Sequence, residues 1–144
     1  MLFRSSPDGK KLYVTNTPLI GQDIFKDQAK NTTKVNSIYA YDIDEEGFPR
    51  NGRLFGLART GIANGIHIDD NGRVWTAEND GINVRNPEGV MLGSFNYVPW
   101  RPVDEPFIAN FALAGDRLVI GASSFVLVYQ LAEKVVSRET SLTN

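Results

Sequence analysis

The chain has 144 residues, 42% of them hydrophobic, with Lys plus Arg at 15 against Asp plus Glu at 17 and no cysteine. That length fits one ordinary domain, and a formal charge of -2 offers no electrostatic footprint for nucleic acid or an anionic membrane surface. No apolar run approaches the roughly 18 residues of a membrane helix, Met1–Gly9 lacks the apolar core of a signal peptide, and without cysteine there is neither a disulfide framework nor a thiolate metal site.

In chain order, Leu2–Ser6 and Lys11–Asn16 read as two strands about the turn Pro7-Asp8-Gly9. Ser37–Asp42 and Leu54–Leu57 follow. Gly65–Asp69 and Arg73–Ala77 flank Asp69-Asp70-Asn71-Gly72, and Gly81–Val84 and Met91–Phe95 flank Pro87-Glu88-Gly89. Phe111–Ala114 and Arg117–Ile120 meet at Ala114-Gly115-Asp116, then comes Phe125–Tyr129, with Val135–Ser137 as the candidate last strand. Each segment is short, β-branched or aromatic, and bounded by turn chemistry. No stretch of a dozen residues carries a helical stripe, so the class is all-β.

The strands repeat. Ile38, Ile82 and Val126 are spaced 44 and 44 apart; Leu12, Val74 and Leu118 are spaced 62 and 44. The excess of 18 falls within the polar stretch Pro18–Lys34. A period of 40 to 45 with four antiparallel strands per unit is the mark of a β-propeller blade. The expected organisation is three four-stranded blades, about 1–58, 59–96 and 107–138, with an insertion loop at 18–34. Three blades do not close a ring, because propellers use four to eight. Leaving about 600 Å² of apolar face bare forfeits about 15 kcal/mol, comparable with the whole stability of a domain. The expectation is therefore a fragment, or half of an assembly completed by missing N-terminal blades, by self-association or by a partner.

In such a blade the start of the inner strand and the end of the second strand share one rim with the longest connections, Pro18–Lys34 and Tyr97–Phe107, which is where function is expected. Motif scans are negative: a single histidine excludes H-E-x-x-H, and no G-x-S-x-G is present. Asp42–Gly47 imitates the start of an EF-hand, but Arg53 stands where the bidentate Glu belongs. Asn64 and Asn110 begin inner strands at equivalent places and read either as oxygen donors to a hard cation or as turn residues. His67 reads as a channel base or as a histidine packed between blades. Glu78, with Asn79 and Asp80, offers a carboxylate to the channel or a solvated turn. Trp100 lines a pocket rim or pins its loop. Pro18–Lys34 reads as a lid or an insertion, and Asn31-Thr32-Thr33 fits a glycosylation acceptor.

Several phrases resemble one family. Ser6-Pro7-Asp8-Gly9-Lys10-Lys11-Leu12-Tyr13-Val14-Thr15-Asn16-Thr17 is similar to its "SPDGKtLYVtDT" hairpin, and Ile38–Asp42 followed by Asn51-Gly52-Arg53 to its third strand and "NrR" connection. Gly61-Ile62-Ala63-Asn64-Gly65-Ile66-His67-Ile68-Asp69 resembles "GiPDGI-x-vD". Asn71–Trp75, Gly81–Val84, Asn86–Gly89 and Asn110–Gly115 continue the series. The family is the regucalcin/gluconolactonase-like (senescence-marker-protein-like) six-bladed propellers, with the lactonohydrolase branch nearest, and the likeness runs from about residue 2 to 131 of what would be the C-terminal half.

The resemblance implies a calcium-dependent hydrolase of lactones or related esters, a small-molecule substrate, and a Ca²⁺ or other divalent cation held by an early Glu, two Asn and the Asp of "PDG". Only the last position falls clearly within this chain, and Asn64 stands there; Met1 falls at the second Asn. Asn64 is thus the candidate metal and catalytic position, with Asn110, Trp100 and Glu78 as candidate substrate contacts. An amide adds no charge and is no base at neutral pH, so the isolated chain is expected to bind the ion weakly and catalyse little. The alternative is a non-catalytic propeller-derived binding or scaffold module, or a decayed member of the family.

Overall fold

The computed structural model describes residues 2–16, 36–96, 108–122 and 125–137. Ten β-strands and no helix are formed by the described residues. Strands β1 (Phe3–Ser5), β2 (Lys11–Asn16), β3 (Ser37–Ile43) and β4 (Pro49–Leu57) make one antiparallel meander, sheet 1. Strands β5 (Ile66–Ile68), β6 (Val74–Glu78), β7 (Gly81–Arg85) and β8 (Met91–Asn96) make sheet 2. Strands β9 (Ile108–Ala122) and β10 (Phe125–Val135) form the third sheet.

The hairpins at one rim share a single local recipe. Asp44 Oδ1 accepts the N–H groups of Glu46 and Phe48 (3.1 and 2.8 Å), and Asn86 Oδ1 those of Glu88 and Val90 (3.1 and 2.8 Å). A short polar side chain thus caps the reversal, and the residue three further on must turn left-handed, which is why Gly47 (φ 86) and Gly89 (φ 89) stand there. The turn after β5 repeats the pattern with Asp69 and Gly72.

The third sheet is built differently from the expectation. β9 doubles back on itself: a methyl group on Gly121 would lie 3.5 Å from the Asn110 carbonyl oxygen, a closeness that a straight run at about 3.3 Å per residue forbids. Gly115, at φ 67, sits where the chain reverses, so the expected hairpin at Ala114-Gly115-Asp116 is present. The candidate outer strand Val135–Ser137 is not. Val135 ends β10, opposite Gly115, and the chain then crosses to sheet 2, where Asp70 N–H donates to the Val136 carbonyl at 2.9 Å. Burial of Leu131 and Val135 in the core outweighs extending the sheet outward.

The sheets pack face to face in chain order through two apolar seams. Sheet 1 contributes Tyr13, Ile38 and Ala40 against Ala63, Ile66, Ile68 and Val74. The opposite face of sheet 2, Trp75, Ala77, Ile82 and Val84, meets Phe111, Leu118, Ile120 and Ala122. Period-2 alternation makes this possible: neighbouring residues of β6 enter different seams. Sheet 2 is therefore covered on both sides, and its strands β5, β6 and β7 are buried throughout.

Candidate functional site

The rim opposite the capped turns carries the sequence-derived candidates. The segment joining β4 to β5 runs along it, and its backbone is held almost residue by residue. Arg59 N–H donates to Glu78 Oε2. The Thr60 carbonyl accepts Asn79 N–H (3.3 Å) and its hydroxyl accepts Asp80 N–H (3.0 Å). The Gly61 carbonyl accepts Asn36 Nδ2, and Ile62 N–H donates to Asn79 Oδ1 at 3.4 Å. Gly61 is required: its φ is 57, and a β-carbon there would overlap the Asn79 amide.

This segment delivers Asn64. Its N–H donates to the Ala77 carbonyl at 2.8 Å, and its own carbonyl accepts Thr15 Oγ1 at 3.3 Å. Thr15 is fully buried and its hydroxyl also accepts Leu2 N–H (3.0 Å), so one side chain ties the starts of β1 and β5 together. The Asn64 backbone is thereby fixed on both sides, while no described group hydrogen-bonds its side-chain amide.

Asn110 lies at the corresponding place in the third sheet, beside Gly121, as Asn64 lies beside Ala77. Its Oδ1 is engaged, accepting Phe111 N–H at 2.9 Å. Glu78 is fully buried rather than set in a solvated turn. Its Oε1 meets Arg85 Nη1 and Thr76 Oγ1, both at 2.8 Å, while Arg85 reaches across the seam to the Leu57 carbonyl at 2.7 Å. Both carboxylate oxygens are thus committed to holding sheet 2 against the end of β4. Asp80 is held by Arg59 (3.4 Å) and Asn83 (3.0 Å). His67 is 7% exposed, packed edge-on against Phe111 at 4.8 Å with Ser137 Oγ at 3.5 Å from Nδ1, which is the reading of a histidine between blades. Trp100, Met1, the Pro18–Lys34 segment and Asn31–Thr33 lie outside the described residues.

Arg85 and Asn36 went unremarked in the sequence. The signal for Arg85 was present in the alternation of Gly81–Arg85, which puts it on the same face as Asn83; a cation on that face requires a buried partner, and Glu78 ends the neighbouring strand. Asn36 shows no such pattern, because its role depends on a segment some 25 residues away.

A hard dication takes six to eight oxygens, carboxylates among them. Among the described residues no three of His, Asp or Glu gather to hold one, and the rim's unengaged acceptors are amide oxygens: that of Asn64, and the buried ones of Asn36 and Asn83. These residues do not by themselves make a calcium site. Two surface hollows, one lined by Asp8, Lys11, Asp42 and Asp44 and another between Asp8 and Asp70-Asn71, lie at the capped-turn rim, away from Asn64.

No protein-family model matches the chain. By sequence it is 28% identical over 130 residues to the gluconolactonase of Zymomonas mobilis, covering 85% of this chain and 32% of that protein. It is 29% identical over 96 residues to the lactonohydrolase oryH of Aspergillus oryzae, covering 60% of this chain and 20% of that one. The chain thus spans about a third or less of the curated relatives it matches. By structure it is similar to the gluconolactonase XC5397 of Xanthomonas campestris, with TM-score 0.68 and 23% identity over 90% of this chain and 36% of that one. It is also similar to the calcium-binding regucalcin of Agrobacterium tumefaciens, with TM-score 0.65 and 19% identity over 94% of this chain and 46% of that one. The architecture is therefore an incomplete β-propeller, all-β and built of antiparallel sheets.

Proposed function

For a chain whose relatives by sequence and structure are gluconolactonase- and regucalcin-like proteins, we propose a part in hydrolysing a lactone or related ester, exercised by a complete propeller to which this chain contributes the Asn64 rim. The observation that carries this is the treatment of Asn64: its backbone is clamped by Ala77 and Thr15 while no described group engages its amide, just before an inner strand. Fixing a backbone so closely to present one polar group is the economy of a binding position.

An amide at this place holds a carbonyl oxygen through its N–H₂, or offers its own oxygen to a cation, but does not take a proton at neutral pH. Asn110 and Trp100 remain substrate contacts within this proposal, whereas the Glu78 carboxylate supports the rim from beneath. Calcium dependence is part of the proposal, supported by the calcium-binding regucalcin neighbour. Because the described residues do not complete a cation site, the isolated chain binds Ca²⁺ weakly and hydrolyses little. The neutral Asn64 also favours a second reading, a propeller-derived module that binds without catalysing.

The test is lactone hydrolysis by the 144-residue chain with and without Ca²⁺, alongside calorimetry of Ca²⁺ binding. Wild type, assayed dilute enough to be a single copy, is expected near the uncatalysed rate, with a dissociation constant above ~10 μM. Asn64→Asp is expected to tighten binding by adding a negative charge at the ligand position. Unchanged affinity in Asn64→Asp would remove Asn64 from the site, and tight binding by wild type would overturn the incomplete-site reading. A calcium-dependent rate abolished by Asn64→Ala would rule out the non-catalytic alternative.

A further inference from the structure

Among the described residues no element covers the outer face of sheet 1 or of the third sheet. On the outer face of sheet 1 the register sets Phe3, Val14, Tyr39 and Leu54 in one row across four strands, with Leu12 and Tyr41 in the next. Phe3 is 64% exposed and Leu54 57%. On the outer face of the third sheet, Val126 and Val128 are 66% and 58% exposed, while Phe125, Leu127 and Tyr129 alternate with them toward the core. Contiguous apolar faces of this kind mark interaction surfaces.

Each bare face is the register equivalent of a face already buried within the chain. Counting along the ladders, Phe3, Val14, Tyr39 and Leu54 correspond to Ile66, Thr76, Asn83 and Ser94, the row of sheet 2 that sheet 1 covers. Val126 and Val128 correspond to Ile82 and Val84, which the third sheet covers. The first face is the more apolar of its pair: the buried row carries Thr76, Asn83 and Ser94, whereas the exposed one carries no charge and only the tyrosine hydroxyl as a polar group. The bare faces thus present the chemistry of a sheet-on-sheet seam, one as the leading side and the other as the trailing side.

We propose that the two faces dock onto a second copy of this chain, the Val126–Val128 face of each copy against the Phe3–Leu54 face of the other, so that two copies close one ring. The chain forms three sheets; two copies supply six, within the four to eight that close a propeller, whereas one copy supplies too few and three copies too many. Both seams are then extensions of the packing already present inside each copy, and both are head-to-tail, an arrangement that ends in a closed ring when the second seam meets the first. The net charge of -2 per chain sets up little repulsion between copies.

Sedimentation of the 144-residue chain at ~10 to 100 μM tests this. Wild type is expected at twice the chain mass, and Val128→Asp or Phe3→Asp at the monomer mass with an unchanged circular dichroism spectrum, since both side chains face solvent within one copy. Val90→Asp, an exposed valine at the capped-turn rim (60%), is expected to stay dimeric. Mixing Val128→Asp with Phe3→Asp leaves one seam intact, and is expected to restore part of the dimer. A monomeric wild type, or open-ended polymers, overturns the proposal. So does dissociation by Val128→Asp without dissociation by Phe3→Asp, which marks face-to-same-face pairing instead.

Discussion

The seam between sheets 1 and 2 and the seam between sheet 2 and the third sheet join equivalent surfaces by different chemistry. The second is oily: Trp75 stacks on Phe95 at 5.7 Å, Phe95 meets Tyr129 edge-on at 5.9 Å, and Leu118 and Ile120 fill the centre. The first sets a buried polar group, Thr76, Glu78, Asn83 and Arg85, among Tyr13, Ile38, Ala63, Ile66 and Val74. The Arg85 guanidinium reaches along the sheet to Glu78, whose carboxylate also holds the Arg59 N–H at the Asn64 rim. An apolar seam holds sheets together with little preference for how they are offset. A buried ion pair with a reach to Leu57 permits a single offset, at a desolvation cost that makes it a device of position more than of strength. The polar seam lies where the segment carrying Asn64 must be aimed.

The sharpest way to break the comparison is Arg85→Ala. It leaves the Glu78 carboxylate buried and unpaired, and a loss of about 3–5 kcal/mol is expected, read by denaturant unfolding. The double variant Glu78→Leu/Arg85→Leu is expected near neutral in stability, yet to loosen the rim, seen as faster amide exchange at Arg59 and Asn64. In the oily seam Leu118→Ala is expected to cost about 2–5 kcal/mol through the cavity it leaves, with exchange at Asn64 unchanged. Equal exchange in the two cases would erase the distinction between the seams. Gly61→Ala, forced to positive φ and into Asn79, is expected to cost about 1–2 kcal/mol.

The smallest effect concerns acid. The Phe48 N–H, followed by the Arg50 guanidinium, holds the Asp44 carboxyl below the ordinary range, and the Ser6 hydroxyl does the same for Asp8. A carboxyl whose folded pKa is depressed stabilises above its unfolded value of about 3.9 and loses that contribution as pH falls through the folded value. Thermal midpoints are therefore expected to decline below about pH 4. Asp44→Asn keeps the capping oxygen, as Asn86 already does in sheet 2, so it is expected to flatten that decline with only a slight loss at neutral pH.

Much of this was legible in the residues. The 44-residue echo of Ile38, Ile82 and Val126 places β3, β7 and β10, and the Asx-to-glycine turns mark the hairpins, because both signals are local. The end of the third sheet was not legible: Val135 has strand character, and nothing nearby says that it turns inward beside Leu131. At the rim, Asn64 and Asn110 stand out by their equivalent places before inner strands, with the resemblance adding to Asn64, and His67 stands out by alternation. The fate of Glu78, by contrast, required knowing that Arg85, which pairs with Val74, reaches along the same face to it. Pairings between strands decide such cases, and a single sequence shows them only through alternation.

The tight reversals near Gly9, Gly47, Gly72 and Gly89 all lie at one end of the sheets, but only those at Gly9 and Gly47 have nothing packed against the glycine; Asp70 of the Gly72 turn donates to the Val136 carbonyl, and Gly89 lies against the Phe55 carbonyl. The Gly9 and Gly47 hairpins are therefore modular: a new loop spliced at either would disturb one hairpin and leave the rest of the molecule as it stands. The other end is woven, since Thr15, Asn36 and Asn79 each fasten a segment distant in the chain. Grafting experiments should accordingly succeed at the two modular hairpins and fail at the woven end, which makes the former the place to attach a reporter without silencing whatever the latter does.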